Sequence, residues 1–64
     1  MKEVKAGDTV MVRQWNGSTV KGIVDMVFDD VKNGRPGIDY TVPDATSEWE
    51  RYKWAYSYQI ESVL

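Results

Sequence analysis

An all-β domain, built as a small antiparallel barrel of five strands, is the fold class this sequence predicts, and three observations predict it. Apolar residues recur at every second position in the runs TVMVR, TVKGIVDMVF, IDYTV and YKWAY, the period of a strand with one face buried. Asn-Gly and Pro-Gly pairs stand between those runs, where asparagine and glycine accept positive φ at little steric cost. The chain has 64 residues, the length of one domain over 1–64, and a domain of that size buries only about 60% of the surface its unfolded chain exposes.

The first strand is expected in DTVMVRQW, with Val10 and Val12 set against Thr9, Met11 and Arg13, and Asn16-Gly17-Ser18 turns the chain back. The second strand, TVKGIVDMVF, would send Val20, Gly22, Val24, Met26 and Phe28 inward. Gly22 interrupts it, and a glycine inside a strand marks a bulge or a close approach of another part of the chain. Asp29 to Gly37 carries Asn33-Gly34 and Pro36-Gly37 in succession, so a polar, mobile connection is expected there. IDYTV places Ile38, Tyr40 and Val42 on one face and ends at Pro43, which has no N–H for the ladder. PDATSEWER is read as a loop carrying Trp49.

YKWAY puts Tyr52, Trp54 and Tyr56 on one side, with Trp54 expected in the core. SYQIESVL is read as one helical turn leading into a last short strand with Ile60 and Val63. A helix from Thr46 onward competes for the same residues, since Thr46 or Ser47 would cap it and acidic residues fall in its first turn. Trp and Tyr at alternate positions favour the strand.

Composition narrows the function to binding. The chain has no cysteine and no histidine, which removes disulfides, thiolate and imidazole metal sites, and the side chains that most readily move protons near neutral pH. Asp29, Asp30, Asp44, Glu48 and Glu50 do not follow the spacing of a calcium loop. NGRPG lacks the helix and Lys-Ser/Thr of a phosphate cradle. No enzyme activity, cofactor or metal is therefore expected. Eight Lys/Arg against ten Asp/Glu give a net charge of −2, without the basic excess that drives phosphate binding. The acids intermix with Arg13, Lys21, Lys32, Arg35, Arg51 and Lys53, which disfavours nucleic acid, and their surface fits a basic partner equally well. No apolar run approaches the ~18 residues of a membrane span, and MKEVKAGD lacks the apolar core of a signal peptide; a soluble, cytoplasmic protein is expected.

Eight aromatics, Trp15, Phe28, Tyr40, Trp49, Tyr52, Trp54, Tyr56 and Tyr58, are many for this length. Trp15 and Trp49 fall at loop ends beside polar residues, and Trp, Tyr and Arg dominate binding hot spots. Trp15, Tyr40, Trp49 and Arg51 are accordingly the residues expected to anchor a protein partner.

GDTVMVRQWNGSTVKGIVDMV resembles the opening of the SH3-like barrels, above all the KOW and Tudor-like families, on Gly7, Asp8, Val10, Val12, Gly22 and Val24. The resemblance implies an SH3-like five-stranded barrel and a partner drawn from RNA, histone tails, proline-rich peptides or RNA polymerase. A KOW element carries a basic loop between its first strands, whereas QWNGST is nearly uncharged. A KOW-type nucleic-acid or transcription-machinery module is thus the second reading, after a small accessory or regulatory interaction module of a bacterium or phage. The GD-V start and the IESV ending also look like the short type II dihydrofolate reductases, whose shared pore needs four copies. YKWA stands where that family has its pore-lining segment, so the reductase activity does not carry over.

Overall fold

The structure, a computed structural model, describes residues 3–64. It is all-β: β1 (Thr9–Arg13), β2 (Thr19–Lys32), β3 (Arg35–Thr41), β4 (Tyr52–Tyr56) and β5 (Ile60–Val63) form one antiparallel sheet in the order β4-β3-β2-β1-β5. A single helical turn, α1 (Glu48–Arg51), precedes β4, and a 3₁₀ turn over Ser57–Gln59 joins β4 to β5. The helix competing for residues 46–64 does not form. The expected one-turn helical connection, here of 3₁₀ type, and the last strand do.

Asp8 sets up the entry to β1, its carboxylate accepting the Lys5 N–H at 2.9 Å. Val10 and Val12 then alternate into the core opposite Gly22 and Val20. At the far end Asn16 Oδ1 accepts the Ser18 N–H at 3.0 Å, an Asx-type turn that reverses the chain into β2. Val10, Val12, Val24, Ile38, Tyr40, Val42, Ala55 and Ile60 make up the core.

The sequence expectation for residues 29–37 is corrected. β2 continues to Lys32 and β3 begins at Arg35, so the mobile loop shrinks to Asn33 and Gly34. Both have positive φ, 57° and 73°, the geometry of the two-residue hairpin turn whose twist matches its strands. Pro36-Gly37 makes no second turn, since both lie within β3; the ladder is irregular between the Phe28 and Lys32 pairs, where a proline without an N–H is tolerated.

Two further expectations change with register. Met26 is 55% exposed rather than inward, because Asp25 and Met26 together oppose Asp39 in a bulge that breaks the alternation. The bend therefore lies just beyond Gly22. Gly22 serves a close approach instead: a Cβ there would stand 2.5 Å from Cδ2 of Tyr40. Trp54 is 37% exposed rather than in the core, and Tyr52 more so, on the face they share with Tyr56, which is itself buried. The cross-strand partners of Trp54, Asp39 and Met26, face the same way, while Lys53 and Ala55 pair with the inward Tyr40 and Ile38.

No backbone ladder joins β4 to β5 or β1, so the sheet has two edges and the closed barrel expected from the sequence is not made by strand pairing. A side chain crosses the gap: Gln59, buried, accepts the Tyr56 N–H through Oε1 and donates from Nε2 to the Arg13 carbonyl, both at 2.9 Å.

Candidate functional site

The gap beside β4 is a groove of about 280 Å³. Three of the four residues singled out in the sequence, Trp15, Tyr40 and Trp49, line it. Tyr52 and Trp54 of β4 add two more aromatic rings, and Gln14, Lys53 and Gln59 supply polar groups.

Each wall has a local cause. Trp49 is 90% exposed because α1 is only one turn long and buries none of its residues. The turn is pinned where Val42 N–H donates to the Arg51 carbonyl at 2.7 Å and Arg51 N–H to the Ser47 carbonyl at 3.0 Å. Trp15 is 70% exposed and sits between the end of β1 and the Asn16 turn, which Gln14 closes by donating its N–H to the Ser18 carbonyl at 2.8 Å. Its indole meets the ring of Tyr56 edge-on, 6.1 Å between centroids. Tyr56 in turn packs edge-on against Trp54 at 5.1 Å and stacks on Tyr58 at 5.4 Å, arrangements that aromatic quadrupoles favour. Asn33 Nδ2 donates to the Tyr56 hydroxyl at 3.1 Å, tying the β2–β3 turn to this cluster.

Tyr40 and Arg51 take different places from the two tryptophans. Tyr40 is 2% exposed, a core ring that forms part of the groove wall rather than a projecting anchor. Burial and then the nearby charge of Glu50 raise its pKa above the ordinary 10.0. Arg51 is exposed, reaches the Ala45 carbonyl at 3.5 Å and lies outside the groove.

Lys53, Gln14 and Gln59 are the participants sequence reading missed. Lys53 Nζ bridges the groove, donating to Gln14 Oε1 at 2.5 Å while it pairs with Glu50 at 2.9 Å. No local pattern marks these polar residues, whose partners are 39 and 46 positions away. For Tyr52 and Trp54 a signal existed in the alternation of YKWAY, which fixes a common face without saying which side is wet.

Among the described residues no three His, Cys, Asp or Glu side chains gather as a metal centre, and no helix is long and apolar enough to cross a membrane. Comparison of the chain with family models, with curated proteins and with solved structures returned no match.

Proposed function

We propose that this chain is a non-catalytic protein-interaction module of SH3-like architecture, close to the KOW and Tudor-like kind, that grips an extended segment of a partner protein in the groove beside β4. The observation that carries the reading is the convergence of Trp15, from the β1–β2 turn, and Trp49, from α1, on one groove walled by Trp54 and Tyr52. Exposed tryptophans with rigid neighbours offer large contact area at low entropic cost, and aromatic grooves of this kind suit extended peptides. Support for the SH3-like form comes from the strand order, the 3₁₀ turn before the last strand and the Gln59 bridge that draws β4 toward β1.

Crosslinked capture of a partner from the native host, repeated with Trp49→Ala, tests the reading. Capture that survives the substitution counts against the groove. The captured complex is then titrated with salt: affinity resting on aromatic contacts changes little, whereas affinity resting on phosphates falls steeply and would favour a KOW-type nucleic-acid module instead.

A further inference from the structure

We infer that the free edge of β4 carries one open strand-pairing site, centred on Trp54, and that the partner segment fills the groove by adding a short strand there through its own main-chain amides; this rests on the interaction-module reading and specifies how the segment is held.

The backbone polar groups of a strand point alternately to its two sides. The Arg51 carbonyl, just ahead of β4, accepts the Val42 N–H from the β3 side, and the Tyr56 N–H leaves on the opposite side to reach Gln59. Lys53 and Ala55 therefore bond to Tyr40 and Ile38, while Tyr52, Trp54 and Tyr56 turn their amides to the free edge. Both ends of that edge are closed from within the chain. The Tyr52 N–H returns to the Glu48 carbonyl of α1, and Gln59 Oε1 takes the Tyr56 N–H at 2.9 Å. Among the described residues no group takes the Trp54 N–H, the Trp54 carbonyl or the Tyr52 carbonyl. An unpaired edge of this kind is a template for another extended chain.

The opening selects its occupant. A peptide residue set antiparallel opposite Trp54 exchanges two hydrogen bonds with it, and the residue two positions on donates to the Tyr52 carbonyl. Trp15, edge-on to Tyr56, and Trp49, in the turn before Tyr52, flank the two ends of this short stretch. A second copy of the chain cannot bring its own sheet edge to it, because Gln14, Trp15 and Gln59 stand across the groove. A phosphate would meet one donor and two carbonyls, whose partial charges oppose it. The one charged side chain of the lining, Lys53, is paired with Glu50 at 2.9 Å, so the site suits an uncharged segment. Main-chain amides at the spacing of a strand meet both requirements, and a proline opposite Trp54 would lack one donor. Cross-strand neighbours share a face, so the side chain opposite Trp54 lies along that indole.

The test uses the whole chain labelled with ¹⁵N and two uncharged probes: the peptide acetyl-Ser-Thr-Val-Thr-Val-Thr-Ser-amide, and the same peptide N-methylated at its three central residues, which keeps the side chains and removes the donors. In the free chain the Trp54 amide is expected to exchange with solvent faster than those of Lys53 and Ala55. The unmethylated peptide is expected to shift that amide saturably and slow its exchange, and N-methylation to weaken the response about tenfold, as the loss of two hydrogen bonds requires. A Trp54 amide already protected in the free chain, no response of that amide to millimolar peptide, or equal responses to both probes would overturn strand addition. Such a failure leaves the Trp15–Trp49 groove standing, because partner capture with Trp49→Ala reads that groove separately.

Discussion

Gln59 Nε2 donates a hydrogen bond to the backbone carbonyl of Arg13 at 2.9 Å across 46 positions of chain. The same carboxamide takes the Tyr56 N–H, so one side chain stands where a rung between the ends of β4 and β1 would be. Gln59→Leu keeps the bulk and removes both bonds. Leaving the buried Tyr56 N–H unpaired costs about 1–3 kcal/mol, and urea unfolding should show a loss of that order. A variant as stable as the parent would mean water replaces the amide without cost.

Gly22→Val is expected to destabilise strongly. A Cβ at Gly22 stands 2.5 Å from Tyr40 Cδ2 and 3.3 Å from the Thr41 carbonyl, and the Tyr40 ring is locked in the core. Overpacking costs about 1–3 kcal/mol, and each kcal/mol moves the melting temperature of so small a domain by roughly 4–8 °C. Thermal melting followed by circular dichroism checks it; an unchanged midpoint contradicts the register of Gly22 opposite Val10.

Trp49→Ala should separate binding from stability. The residue is 90% exposed on a turn with no buried member, and such surface changes usually stay within about 0.5 kcal/mol. Partner capture should fail while the melting curve stays put. A large drop in stability would make Trp49 a structural residue.

Tyr40 gives the fold an alkaline limit. Its pKa is raised above 10.0, first by burial and then by Glu50, so the folded state holds the phenolic proton more tightly than the unfolded chain. The stability this contributes is intact below 10.0 and is lost as pH climbs from there through the folded value. Tyr40→Phe should flatten the fall in stability above that pH; a fall as steep as the parent's would place the titration elsewhere.

The strands were legible because alternation is a property of neighbours: Val10 and Val12, and Ile38 and Tyr40, reveal their faces locally, whereas YKWAY shows only that Tyr52, Trp54 and Tyr56 share a face, and Trp54 lies outward rather than in the core. The boundaries that failed depend on what lies across the sheet. Asp25 joins Met26 opposite Asp39 only once β3 is in place, so nothing in GIVDMV announces the outward Met26. Two turn signals in succession made residues 29–37 look like loop, although the Asn33-Gly34 pair alone reverses the chain. Of the site, the tryptophans at loop ends were readable from their polar surroundings. Their meeting, and the polar residues around them, were set by contacts spanning most of the chain.

The Leu64 N–H donates to the carbonyl of Thr9 at 2.8 Å, which pins the C-terminal end to the opening of β1. Trp15 follows the other end of that strand, about 20 Å away at the rise of extended chain. A tag, tether or solid support attached after Leu64 therefore emerges at the opposite pole from Trp15. Immobilised in that orientation, the molecule presents its tryptophans to solution rather than to the support.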